Sequence, residues 1–567
     1  MRVARPYEPQ PTYQPVRGAA QRGWDSACAD LGPGTVLAVD GPNVLDWTAV
    51  VAGITTALRA REIPVVAVDV REQMVAWEQV VKRTAPVDAL ADDPDFATLA
   101  GGTIADLYDE PPAVPAAPEA VVVAFGPGAA LLEPDRLWYA DLPKRYAEAA
   151  VVAGRERNLG QRPGDDAPST RRLFYIDWPL LDRHRDAVAA RIDRWLDVRD
   201  PLQPTSLDGA DLRLTLADLA GRPFRTLPTF NTTSWGGHWG QDQLGLGRDL
   251  ENTAVGYELI APESGVLIGT SDHAVEIPFQ LVVALHPDRV LGPAVRATFH
   301  TSFPIRFDYL DTVGGGSLSV HCHPREAYMR DVFGWPYTQH ESYYVMVGGE
   351  DRIIYLGLRD DVDIDEFHQH AHAADADQQA FDIERFVQTH PATPHQLFLI
   401  PGGTPHGSGE GNVVLEVSAT PYLYSLRFYD WLRVDSAGKQ RPVHVGHAFR
   451  NLDSRRSGDA VHRDLVQQPR ILVQGEGWRE ESIGALPQLF FEVRRVVIEP
   501  SGSARADTAG RFHVLNVVAG DGVVIETGSG RHSLVYAETL VVPASVGPYR
   551  VTSVGSDPVM VVKALVR

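Results

Sequence analysis

"SLSVHCHP", Ser317 to Pro324, sets two histidines either side of a cysteine in a stretch that reads as a β-strand. Side chains alternate along a strand, so Ser319, His321 and His323 share one face while Leu318, Val320 and Cys322 share the other. Three uses are open: half of a metal site, a polar pair on a solvated strand, or a Cys/His pair built for nucleophilic chemistry. Alternation turns Cys322 away from both imidazoles and argues against the last. Histidines two apart on a strand can reach one ion together, and neutral imidazole is the commonest metal ligand.

Two ligands do not make a site, and the flanking sequence supplies more. Glu341 opens "ESYYVMVGG", and His406 lies in the turn "IPGGTPHGSGEG" between "QLFLI" and "NVVLEVS". An HxH, then Glu, then a later His is the ligand order of a cupin barrel. Three histidines and one glutamate suit Zn²⁺, and Fe, Mn, Co or Ni also fit.

Working outward, residues 216–465 carry many short strands between Gly/Pro turns, among them "GVLIGT", "FQLVVAL", "RIIYLGL" and "NVVLEVSA", the texture of an all-β barrel. A helical insertion is expected at about 362–390. Its His368, His370 and His372 read as a solvated acidic-helix face, and His444 and His447 as structural or rim positions. Residues 466–567 repeat the strand series, and "LVVPASVGPYRVTSV" matches the spacing of "FLIPGGTPHGSGEGNVVLEVS", which predicts a second, duplicated barrel without metal ligands.

Residues 31–215 differ in texture. Strands such as "GTVLAVDGP", "PVVAVDV", "RLWYADLP" and "RRLFYIDW" alternate with helical stretches, predicting a parallel sheet covered on both faces. The chain is therefore multidomain: an N-terminal α/β unit followed by a double jelly roll. Gly41 to Thr48, "GPNVLDWT", stands where a P-loop would sit, but Asp46 replaces its second glycine and Trp47 its lysine. This region resembles a uridine-kinase or phosphoribulokinase type of fold that has lost its nucleotide site, so no nucleotide is expected. Residues 1–30, rich in proline and without an apolar core, read as a disordered tail rather than a signal peptide.

At 567 residues and a net charge of −22, with no long run of one sign, the chain lacks the basic face that nucleic-acid binding needs. Only two cysteines, and no apolar run long enough to span a bilayer, point to a cytoplasmic protein without a membrane partner. Oligomeric state is not legible.

The segments "TSWGGHWGQDQLG", "LSVHCHP", "HESYYVMVGGEDRIIYLGL", "FLIPGGTPHGSGEGNVVLEVS" and "YSLRFYDWLRVDSAGKQRPVHVGHAF" together resemble the type I mannose-6-phosphate isomerases, zinc-dependent cupins, over about residues 226–450. The resemblance implies His323, Glu341 and His406 as zinc ligands and places His321 where the family usually has Gln or Lys. It implies Arg427 as the catalytic arginine, with Arg433, Lys439 and Arg441 as phosphate-binding cations. A lysine common two residues before the ligand glutamate is Gln339 here, so the base is open among His340, His238 and Glu258. The implied reaction is aldose–ketose isomerisation of a sugar phosphate, mannose 6-phosphate to fructose 6-phosphate, through a cis-enediol. Two other readings compete: a metal cupin of another class, such as a dioxygenase, and a non-catalytic sugar-phosphate sensor.

Overall fold

The computed structural model describes residues 5–85, 90–420, 424–435 and 438–567. In the N-terminal unit five strands run parallel in the order Val65–Asp69, Val121–Phe125, Val36–Asp40, Arg136–Asp141 and Arg194–Asp197. Thr205–Asp208 and Gln21–Arg22 extend the sheet antiparallel at one edge. Val36–Asp40 is central because its Leu37, Ala38 and Val39 are apolar on both faces and can only be buried on both.

Gly41–Thr48 follows that central strand at its carboxyl end. Gly41 runs so close to the neighbouring strand that a Cβ there would fall 2.2 Å from the carbonyl oxygen of Ala140. The Asp46 side chain caps the helix Trp47–Arg59 by accepting from the amide of Ala49 at 2.9 Å. A carboxylate of the chain itself thus occupies the helix N-terminus. Asp40, fully buried, accepts from the amides of Gly41 and Ala130 at 2.7 Å and sits 2.8 Å from His184.

The barrel that follows is two facing sheets. One orders its strands Leu397–Ile400, Glu341–Val347, Val413–Ala419, Ile305–Asp311, Val255–Leu259 and Thr229–Asn231. The other orders Val387–Ala392, Gly349–Leu358, His406–Ser408, Val320–Cys322 and Leu426–Tyr429. A second pair of sheets, six- and four-stranded, is built from strands between Arg470 and Val566. The two β units share one core: Tyr309 of the first donates to the Ala537 carbonyl of the second at 2.7 Å, and Phe303 packs on Phe512.

Four expectations need correction. Residues 5–30 are built into the fold, not a disordered tail. Thr12–Tyr13 pairs with Leu267 and Ile268, Arg5 pairs with Glu538, and Tyr7 donates to Glu258. Proline content there reflects an extended path over two other units, whose buried carboxylates need those partners.

"FQLVVAL" forms the helix Phe279–Leu285, because a short, mostly apolar run has no clear period to distinguish helix from strand, and Pro278 starts it. "RRLFYIDW" is likewise helical, running through a π-turn into Trp178–Val188. The insertion is helical only over Ile364–Asp377 and Ile383–Arg385; Val387–Ala392 returns as an edge strand paired with Gly349–Leu358.

Candidate metal centre

The two sheets bring His321, His323, Glu341 and His406 together, all buried, with one potential ligand atom of each lying within 4.8 Å of the others. Glu341 comes from the six-stranded sheet, while His321 and His406 are directly paired in the five-stranded one. Directly opposed residues on antiparallel strands point the same way, which aims both imidazoles across the barrel at the carboxylate. His323 Nε2 is 2.5 Å, and His406 Nε2 3.3 Å, from the same Glu341 oxygen.

Each imidazole is held by its other nitrogen. The Nδ1 atoms of His321, His406 and His323 face the carbonyls of Ser319, Thr404 and Tyr424 at 2.9, 2.9 and 3.2 Å. A carbonyl can only accept, so Nδ1 carries the proton and the Nε2 lone pair is left for the cluster. His406 Nε2 is buried with no hydrogen-bond partner among the described residues. Burial, reinforced by the neighbouring imidazoles, holds His321 well below the usual histidine range, and burial likewise lowers His323. Burial alone would raise Glu341, but His323 and His406, when protonated beside it, lower it by more. Neutral imidazoles and a carboxylate are the protonation states a divalent cation needs, and an unpartnered buried nitrogen is what one would satisfy. The residues present fit such an ion.

Behind Glu341 lies a charge network. Arg306 donates to Glu416, to Ser418 Oγ at 2.6 Å, and lies 3.3 Å from Asp308. Burial pushes the Asp308 carboxyl up to about 7 against the pull of Arg306.

Arg427 is directly opposite His321 in register, on the strand at the sheet's edge. Its backbone amide meets His444 Nδ1 at 3.2 Å, and its guanidinium donates to the Pro442 carbonyl at 3.0 Å. Arg433 and Arg441 flank Asp430 at 3.0 and 3.2 Å. Lys439 is exposed, and its ammonium has no partner among the described residues. These cations therefore gather beside Arg427 at one rim.

The candidate bases part company. Glu258 is buried at the joint between the two β units, held by Tyr7 and by the Thr539 amide at 2.9 Å, and is not in the cluster. His340 turns to Glu326 at 3.3 Å and the Gly402 amide at 3.2 Å, lining a groove with Arg325 and Asp453. His238 is on a rim loop, bonded to Gln241 at 2.7 Å, and the same loop takes a hydrogen bond from Arg441 at Ser234. Gln339, two residues before Glu341, is buried with its Oε1 unpartnered among the described residues, a polar atom left over where the resemblance expects lysine.

Cys322 packs in the apolar layer behind the strand, and burial pushes its thiol up, far from nucleophilic use. His368, His370 and His372 join no metal cluster among the described residues; the rings of His368 and His370 lie near Phe449 and Phe381.

Sequence reasoning missed Asp93, Asp95 and Phe96 of the N-terminal unit, which reach this rim. His447 is 2.6 Å from Asp93, and the His444 ring is 4.6 Å from Phe96. No motif marks them.

Residues 23–221 match a family described as a domain of unknown function (DUF8485). The chain is similar to a mannose-6-phosphate isomerase of Streptococcus mutans, 25% identical over 315 residues, 55% of this chain and 89% of that protein. A Bacillus subtilis protein described as a probable mannose-6-phosphate isomerase is 24% identical over 304 residues, 53% of this chain and 87% of its own length. The solved mannose 6-phosphate isomerase of Bacillus subtilis overlaps 60% of this chain and 99% of its own, with 18% identity and a TM-score of 0.48. More than half of the chain is thus similar to sugar-phosphate isomerases. Among the described residues, no helix is long and apolar enough to cross a membrane.

Proposed function

We propose that this chain is a metal-dependent aldose–ketose isomerase acting on a sugar phosphate, with mannose 6-phosphate and fructose 6-phosphate as its substrate pair. The buried three-histidine, one-glutamate cluster, with each Nδ1 tied to a carbonyl and Arg427 in register beside it, carries this reading. Similarity to named isomerases over more than half the chain supports an enzyme, and favours an isomerase over a dioxygenase or a silent sensor.

His321, His323, Glu341 and His406 would hold the ion, Zn²⁺ being suited to this donor set. When bound, it supplies a Lewis acid that polarises a carbonyl or hydroxyl oxygen. Arg427 adds fixed positive charge on the same face as His321, where negative charge develops in an enediolate. Arg433, Arg441 and Lys439 lie where a phosphate would be bound, Arg433 and Arg441 each already sharing Asp430. Of the three base candidates, His238 is the one on the rim, and its Gln241 bond orients the ring. For the N-terminal unit we propose a kinase-like scaffold without a nucleotide site, supported by the central strand Val36–Asp40 and the Asp46 cap.

The test is an isomerase assay on zinc-loaded full-length protein with mannose 6-phosphate and several other sugar phosphates, with and without chelator. Activity that the chelator abolishes and zinc restores is the expected result. Zinc-loaded protein that binds mannose 6-phosphate yet never forms fructose 6-phosphate would overturn the reading for that substrate.

A further inference from the structure

The N-terminal α/β unit reaches the metal-bearing barrel through the segment Leu90–Ala100. Leu90, Phe96 and Ala97 share an apolar core with Val320, Cys322, Phe333 and Leu426 of the barrel. The segment is tied on both sides: Leu99 donates to the Phe333 carbonyl at 3.0 Å, and Tyr424 donates to the Ala97 carbonyl at 3.1 Å. Asp93 is 2.6 Å from His447 and accepts from the amides of Asp95 and Phe96 at 2.9 and 2.7 Å.

This clamp fixes the carboxylate of Asp95, which accepts no hydrogen bond among the described residues and keeps a third of its side-chain surface open, 34%. Its carboxylate lies 3.8 Å from His444 Nε2, too long for a hydrogen bond. Burial, aided by the charge of Arg427, lowers that imidazole to about 3, so it is neutral. The other nitrogen of that ring, Nδ1, meets the backbone amide of Arg427 at 3.2 Å, so Asp95 stands one imidazole away from Arg427. A carboxylate of the N-terminal unit thus stands among the charges gathered at the rim.

We propose that Asp95 is a specificity-determining residue lent to the barrel by the N-terminal unit: its charge offsets the rim cations, so an anionic substrate must displace or outweigh it. This rests on the reading of the rim as a phosphate site. Phosphate would meet both the cations and Asp95, whereas an uncharged sugar would meet no net penalty from it. The N-terminal unit then tunes substrate choice without nucleotide chemistry of its own.

The experiment compares zinc-loaded full-length wild type with Asp95→Asn, which keeps shape and removes charge. Calorimetry measures binding of inorganic phosphate, mannose 6-phosphate and mannose at low and high salt. Removing one like charge at partly solvated range should tighten both phosphate ligands by about five- to tenfold at low salt, less at high salt. Mannose should be unaffected. Asp92→Asn, which removes an exposed charge from the same segment without touching the clamp, should leave the phosphate-to-mannose ratio where wild type has it. Equal phosphate binding by wild type and Asp95→Asn overturns the proposal, as does a parallel shift for mannose or no phosphate binding by either protein. Isomerase activity is read separately. Its absence in both proteins sinks the catalytic reading while the phosphate titration still decides the role of Asp95.

Discussion

Replacing His406 by alanine tests the metal centre at its most exacting point. The side chain is fully buried, its Nδ1 is fixed to Thr404, and its Nε2 is unpartnered 3.3 Å from Glu341 among the described residues. Truncation removes one of four donors and leaves nothing nearby to take its place. Losing even an outer-shell partner weakens metal binding by about 10–100-fold, so losing a ligand should cost at least ~100-fold, or ~2.7 kcal/mol. At a free zinc concentration ten times the wild-type Kd, wild type is about nine-tenths loaded and His406→Ala about one-tenth, by single-site mass action.

The assay is metal content by mass spectrometry after equilibration in a zinc buffer set by a competing chelator. Cys322→Ala is the control, because its side chain lies on the opposite face of the same strand and packs in the apolar layer. It should bind zinc as wild type does. A full equivalent of zinc in His406→Ala would remove that residue from the site and refute the four-ligand geometry. Loss of zinc from Cys322→Ala would refute the assignment of strand faces.

Three further outcomes follow from the same geometry. Arg427→Lys keeps the charge but loses the planar fork that donates to Pro442; kcat should fall by about 100-fold or more with zinc content unchanged, and wild-type kcat would show that Arg427 is not catalytic. Tyr7→Phe leaves the buried Glu258 short of one donor and should cost about 1–3 kcal/mol in urea unfolding; an unchanged midpoint would mean the N-terminal segment does not hold the joint. His444, buried and lowered to about 3, binds its proton in the unfolded chain first. Its contribution is therefore full above pH ~6.5 and is lost as pH falls toward the folded value, at ~1.4 kcal/mol per unit. Between pH 7 and 5 wild type should lose about 2 kcal/mol more than His444→Asn, and parallel stability curves would exclude this titration.

Much of the site was legible because its signals are local. A strand's period of two fixes which of His321, Cys322 and His323 face together, and the turn "PGGTPH" places His406 beside a strand start. Where local signals are absent, reading fails. "FQLVVAL" is apolar except for Gln280, too short and too uniform to show a period, so its helix was hidden. Glu258 and His340 look alike as candidate bases, yet packing buries one at the joint of two units and turns the other to an outer groove.

By itself, then, the sequence determined the order and shared faces of the four clustered residues, and the change in texture from α/β to β. Those depend on residue type and spacing along the chain. Tertiary structure alone decided that residues 5–30 are a structural strap, that Tyr7 satisfies Glu258, and that Asp95 lies 3.8 Å from His444, whose ring meets the Arg427 amide. Such contacts arise from separately folded surfaces packing together, and neither partner's local sequence carries a mark of the other.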